Sequence, residues 1–442
     1  MLSRDQGRRI VDAIVGSTKY HAIVHIGDDG ERLTRFAESE IHQNMEIDNT
    51  IVTLTLCEGR KSASAQTNAL DPAGLKRLVA DTEAMLSHAP EGEYEFIPTP
   101  PQGKADAGND TRLAAAFDIK GRAETLKRCI ATLGSGFTAA GTLSLGKFMA
   151  VYGDSVGNFH YHNYDKVEFE VVVTHKDGDT GYGAVTSNNL DRCDIDAAFK
   201  TAYDKAKAAI GPVFADLGAY TVVLEPAAVA DLLKFALFDL NGAAYDKGLS
   251  FASGRMGERI FGENFTIRDD ITNPLTFPRL TDAEGYVRRP LTLVENGVLK
   301  NVLYCAKTAK KAGVEPTGHA FGTAGDGGWP LNVVMDGGDG DLEGMIAGVK
   351  KGILVTHFWY CNAVNRKTLQ ITGLTRDGTF MIENGKIAKP LKNMRFTESL
   401  LDAFSNIAAL SRDTSPVGMF GGVALLPAMV IEDFHFTSGQ NG

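Results

Sequence analysis

Two stretches share one pattern: residues 291–304, LTLVENGVLKNVLY, and residues 378–391, GTFMIENGKIAKPL. Each places apolar residues on both sides of an Asn-Gly pair, Asn296-Gly297 and Asn384-Gly385. Asn and Gly tolerate the positive φ that both centres of a type I′ turn require, so each stretch predicts a β-hairpin. From about residue 218 onward the chain reads as strand-rich, which predicts a separate β-dominated domain over residues 213–442. One helix is embedded in it, at residues 225–240, EPAAVADLLKFALFDL. Pro226 suits a first helical position, where its missing N–H costs nothing. Val229, Leu232, Leu233, Ala236, Leu237 and Leu240 then recur at the spacing of one buried stripe.

The first 212 residues predict an α+β domain, an α/β region of strands with packed helices. Residues 20–41 alternate on either side of the turn formers Gly27-Asp28-Asp29-Gly30 and predict a hairpin there. Residues 49–67 predict a second strand pair around Glu58-Gly59. Residues 71–89 predict an amphipathic helix with Asp71 as cap and Pro72 near its start. A Pro- and Gly-rich stretch, residues 96–111, divides the domain into segments 1–96 and 110–212. After it come a helix near residues 112–133, strands over 137–155 and 159–187, and a helix that Gly211-Pro212 ends.

With 442 residues the chain exceeds one ordinary core, so two or three domains are expected. Its 45 basic and 55 acidic residues give a net charge of −10 with no Lys/Arg block, which argues against a nucleic-acid partner. No apolar run reaches membrane-spanning length, and the opening residues lack the apolar core of a signal peptide. The cysteines Cys57, Cys129, Cys193, Cys305 and Cys361 form no C-x-x-C pair, which predicts reduced thiols and a cytoplasmic location.

Several motifs fail on context. Residues 141–148, GTLSLGKF, approximate a phosphate loop, but Phe148 replaces the metal-binding hydroxyl and a strand follows instead of a helix. Residues 153–157, GDSVG, put Ser155 in a nucleophile position, again without the following helix, so a turn between strands is expected. His21 and His25 sit in a strand-like context. His160 and His162 share one strand face; they would chelate a metal only with a third ligand, and solvated strand histidines are the simpler expectation. Asp336, Asp339, Asp341 and Glu343 do not follow the ligand order of a calcium loop and are better read as a polar loop capping a helix.

The C-terminal half resembles the TldD/PmbA (TldE) family of metalloprotease-related proteins, once described as modulators of DNA gyrase. The blocks that carry the resemblance are GLSFASGRMGE (248–258), the segment 288–320, KKGILVTHFWY (350–360) and the segment 372–396. Two stretches of the first half fit more loosely, EGRKSASAQTNALDPAGLKRLV and DIDAAFKTAYDKAKAAIG. In the TldD branch an H-E-x-x-x-H motif and a late cysteine bind a metal, and the Glu acts as general base. Counting back from Ser250 and Gly257-Glu258 puts Leu233 and Phe238 in the histidine places and Lys234 in the glutamate place. No Cys follows Cys361, and residues 218–260 contain no His.

The resemblance therefore implies the metal-free TldE/PmbA branch. It implies a non-catalytic subunit that needs no cofactor of its own, partnered by a TldD-like chain carrying zinc and acting on unfolded or flexible peptides. Thr317, Gly318 and His319 align with a family motif in which Asn is more usual than His, and are the expected substrate-binding residues. A stand-alone homodimer that binds peptides or small molecules without hydrolysis remains open, as does a hydrolase with a metal on His160 and His162.

Overall fold

The computed structural model describes residues 1–28, 31–92, 96–103, 110–321 and 327–439. The architecture is α+β, built on two sheets. The first has eight strands, with Phe137–Asp154 as its spine. One edge of this strand pairs along nearly its whole length with Phe159–His175, which in turn pairs with Thr180–Ser187. The other edge pairs in tandem with His21–Asp28 and Glu31–Ala37.

That tandem pairing corrects the hairpin expected at Gly27–Gly30. His21–Asp28 and Glu31–Ala37 are both antiparallel to the spine, so they run in the same direction and do not pair with each other. Asp29 and Gly30 themselves lie outside the described residues. The actual hairpin joins Glu31–Ala37 to Glu40–Ile47. Its turn residues Glu38 and Ser39 adopt φ of 51° and 64°, without the Asn or Gly that would have signalled it. The hairpin Thr50–Glu58 to Lys61–Thr67 forms as expected, turning at Gly59 with φ 57°.

Alternation along the spine gives each sheet face its own task. Leu143, Leu145, Met149 and Val151 bury against the helices. Arg4–Val15 and Pro72–His88 cover one half of that face, the latter capped by Asp71 as expected. Arg112–Ala116, Ile119–Ile130 and Ile195–Ala208 cover the other half. The even-numbered residues Phe148 and Tyr152, with His160, His162 and Tyr164 on the neighbouring strand, point the opposite way. There they meet the C-terminal half.

Among the described residues the second sheet has eleven strands. Five of them close into a ring, in the order Gly422–Gly439, Met394–Ser399, Gln370–Glu383, Lys351–Asn365, Gly218–Leu224 and back to Gly422–Gly439. Both Asn-Gly hairpins form, with φ of 49° and 77° at Asn296 and Gly297 and 50° and 76° at Asn384 and Gly385. The largest hydrophobic core lies here, around the helix Pro226–Asp239.

The two halves are joined by a seam of rings and hydrogen bonds. Tyr164 stacks on Phe277 at 5.3 Å and on Phe148 at 4.8 Å. The Arg279 guanidinium covers Phe148 at 4.5 Å and donates from Nε to the Tyr164 hydroxyl at 3.0 Å. Residues 96–103, expected as a mere connection, strap the seam together. Thr99 donates to the Glu284 carbonyl, Asn158 donates to the Thr99 carbonyl, and the Gln102 side chain accepts from the Val287 amide.

Gly285 lies directly against Tyr152. It has φ 85°, and a Cβ there would come within 2.2 Å of the tyrosine ring. Gly254 has a similar φ of 76° with open space around it. Gly285→Ala should therefore cost about 2 kcal/mol or more, and Gly254→Ala about 1 kcal/mol, the difference reporting the ring clash alone. Urea denaturation of the two variants measures both values, and equal losses would contradict this packing.

Candidate functional site

The helix Pro226–Asp239 packs its inner residues against the strands Lys351–Asn365 and Gly422–Gly439. Leu232, Leu233, Ala236 and Leu237 are all at most 1% exposed. Leu233 thus belongs to the core stripe read from its spacing. Its neighbours Lys234 and Phe238 face outward. The Lys234 ammonium sits 3.2 Å from Asp231, and Phe238 is 46% exposed.

Asp231 begins a polar chain that leaves the helix. Its carboxylate accepts from the Phe358 amide at 2.9 Å and lies 3.8 Å from Nδ1 of His357. Nε2 of His357 is 2.8 Å from the Asp377 carboxylate, and the His357 ring packs on Tyr182 of the first sheet at 4.5 Å. Burial raises the Asp231 carboxyl above its usual range, partly offset by Lys234 and His357. Burial pushes Asp377 in the same direction, but His357 and Thr180 outweigh it and hold it low. His357 lies in the KKGILVTHFWY block, yet its role depends on two carboxylates, Asp231 and Asp377, that lie outside that block. The only sequence signal was a single histidine inside an apolar strand.

Around Phe238 the surface is aromatic. Trp329 meets its edge at 5.1 Å, Phe420 and Phe321 pack on Trp329, and the Arg366 guanidinium lies 5.1 Å over the Phe238 ring. Arg366 also pairs with buried Asp239. Nearby on Lys351–Asn365, Trp359 and Val364 are exposed and Tyr360 is 70% exposed, with φ 53°. This strand pairs with Gly218–Leu224 only over residues 352–355. Among the described residues, the stretch 356–365 therefore has a strand neighbour on one side only. Cys361, on that stretch, has its thiol pushed up to about 12 by burial.

The remaining candidates lie elsewhere. Thr317, Gly318 and His319 stand at the seam: Gly318 has φ 74°, and the Thr317 hydroxyl accepts from the Tyr304 amide. The buried His319 ring sits 2.7 Å from the Thr317 carbonyl and 3.3 Å from Asp269. Burial alone would raise the Asp269 carboxyl; Arg288 and His319 outweigh it and hold it well below the usual range. His160 and His162 do share a face, but they are buried instead of solvated, because the C-terminal half packs over that face. Ser155 lies in a turn between strands, organised by Asp154, and its hydroxyl is 2.8 Å from Nδ1 of His21. The stretch 141–148 is wholly strand. Asp341 caps the helix Leu342–Gly348, while Asp336 pairs with Arg268.

The donor set does not fit a metal at the helix. Leu233 and Phe238 carry no lone pair, and the Lys234 ammonium is a cation already paired with Asp231. Among the described residues, no group of three His, Cys, Asp or Glu side chains is placed to hold a metal ion.

Residues 217–438 match the PmbA/TldA metallopeptidase C-terminal domain. The chain belongs to the TldD/PmbA family. It is 28% identical over 231 residues to a protein named Metalloprotease from Methanothermobacter thermautotrophicus, covering 51% of this chain and 50% of that one. It is 39% identical over 147 residues to an uncharacterized protein of Methanocaldococcus jannaschii, covering 33% of this chain and 34% of that one. These alignments span only a third to a half of the relatives' length. TldE from Thermococcus kodakarensis shares the fold, with a TM-score of 0.84 at 18% identity over 98% of this chain and 100% of that one.

Two predictions follow from this packing. Leu233→Ala should cost about 2–5 kcal/mol as a core truncation, whereas Lys234→Ala should change stability by about 0.5 kcal/mol or less. Thermal and urea unfolding distinguish the two.

The seam histidines set a pH dependence. Burial pushes His25 down to about 4 and His162 down to about 3, the latter helped by the nearby Arg279 charge. Both are therefore neutral when folded but protonate near 6.5 when unfolded. Their stabilising contribution is complete above pH 6.5 and is lost as pH falls towards 4 and then 3. Each should add a slope of about 1.4 kcal/mol per pH unit inside its window. Removing one of them, as in His162→Phe, should flatten that limb in a series of urea titrations at stepped pH.

Proposed function

We propose that this chain is a TldE-like, non-catalytic subunit of a TldD/TldE-type metalloprotease that handles unfolded or flexible peptides. The observation that carries this reading is the residue set of the helix 226–239. Where the TldD branch would need His and Glu, this helix offers Leu233, Lys234 and Phe238. It presents aromatic side chains instead, and the strand stretch 356–365 has one edge without a strand neighbour among the described residues. Exposed apolar side chains gathered in this way favour coverage by another chain. A TldD-like partner would supply the zinc, and the edge at residues 356–365 would hold an extended peptide by strand addition. Buried His319 is assigned a positioning part, holding the Thr317–Gly318 turn through Asp269 rather than touching substrate.

The test is metal analysis and peptide hydrolysis by the purified chain, alone and mixed with an H-E-x-x-x-H partner. The chain alone is expected to hold no stoichiometric zinc and to cleave nothing, while the mixture cleaves. Zinc and activity in the chain alone would overturn the reading. Self-association with peptide binding, and no association with such a partner, would favour the stand-alone homodimer. Phe238→Ala combined with Tyr360→Ala should weaken association at least about ten-fold in sedimentation or calorimetry, as loss of aromatic anchors does.

A further inference from the structure

The seam holds a partly open cavity of about 210 Å³ that the peptide-handling reading leaves without a task. His25, Phe148 and His162 come to it from the first sheet, Arg279 and Leu331 from the second half, and Phe321 stands at its exposed side. The larger groove, about 810 Å³ between the helices Arg4–Val15 and Pro72–His88, has no comparable buried polar set.

His162 is 2% exposed, and neither ring nitrogen has a hydrogen-bond partner among the described residues. Nε2 of His25 is likewise buried and unbonded. Buried polar atoms left unsatisfied are costly, so native structures seldom keep them without a water or a ligand. Arg279 spends Nε on Tyr164 and one terminal nitrogen on the Gly421 carbonyl. No carboxylate pairs with it among the described residues. One acidic side chain, Asp282, also lines the cavity, but its oxygens are taken by the amides of Glu284, Tyr286 and Ala320. The space thus combines a guanidinium with donors to spare, imidazole nitrogens without partners, and walls of Phe148, Leu331 and Phe321. An anion of planar, bidentate shape on a small apolar body complements each of these.

We propose that this cavity binds a carboxylate borne on a small aromatic or apolar group, with Arg279 taking the carboxylate and His162 donating an N–H to it. The site lies within one chain, so it stands whether or not the chain has a partner. The carboxylate has two possible sources, a free small acid or the C-terminus of a peptide.

Calorimetric titration of the whole chain with benzoate, benzamide, N-acetyl-Ala-Phe and its C-terminal amide separates these. Benzoate, the free-acid peptide or both should bind one-to-one and at least ten-fold more tightly than the matching amide. Benzoate binding alone identifies a free acid; peptide binding alone identifies a C-terminus. Arg279→Leu should remove at least ten-fold of that affinity. In the unmodified protein, the His162 imidazole resonances should shift on titration, a readout that does not depend on a variant folding. Equal binding of acids and amides, no shift at His162, or a ligand-soaked crystal with only water in the cavity would overturn the proposal.

Discussion

The whole molecule depends on one strand pair buried on both faces. Phe137–Asp154 and Phe159–His175 bury aliphatic side chains against helices on one side and rings against the C-terminal half on the other. A sheet with a single buried face alternates apolar and polar residues. Here the second face also has to be covered, and it is covered with His, Tyr and Phe. Rings of this kind offer large contact area together with polar atoms that need partners. The seam is consequently both the joint between the halves and the place where unsatisfied nitrogens collect.

This composition explains the supporting features around the seam. Tyr152 needs a flat surface, and Gly285 at positive φ provides it. Asp282 gathers three backbone amides and so shapes the loop that carries Gly285. Asp269 does the same for Leu331 and Asn332 while neutralising Arg288. Two buried carboxylates thus organise the loops that face the first sheet. Buried charges of this kind persist only where hydrogen bonds replace water, and both carboxylates have such bonds.

Local chemistry was legible in the sequence where the signal and the structure share a few residues. Asn296-Gly297 and Asn384-Gly385 marked their turns because nothing but φ was at stake, and Asp71 and Asp341 marked their helix starts in the same way. The stripe of Pro226–Asp239 was legible because its period matched its burial. Pairing across the chain was not. The spine inserts about a hundred residues after His21–Asp28 and takes both early strands onto one edge, and no local pattern announces a partner that distant. The same limit applied to His160 and His162. Alternation placed them on one face correctly, but only the later half of the chain decides whether that face meets water. His357 escaped notice for a related reason, since its carboxylates come from a helix and from the neighbouring strand.

Packing also explains how this helix tolerates residues that carry no chemistry. A histidine at position 233 would bring a polar ring into the hydrocarbon stripe, and only a bound ion or a hydrogen bond would offset its desolvation. Leucine needs neither and fills the same space against the ring of strands. Once position 233 is committed to the core, Lys234 and Phe238 are the helix's outward positions, and their environment is of another sort. Lys234 is held by Asp231, which also fixes Phe358, and through His357 and Asp377 the helix is tied to the first sheet. Phe238 joins a cluster of rings in which Phe238 and Phe321 are exposed while Trp329 and Phe420 are half-buried. Keeping Phe238, Tyr360 and Phe321 in water adds little to the stability of the chain by itself.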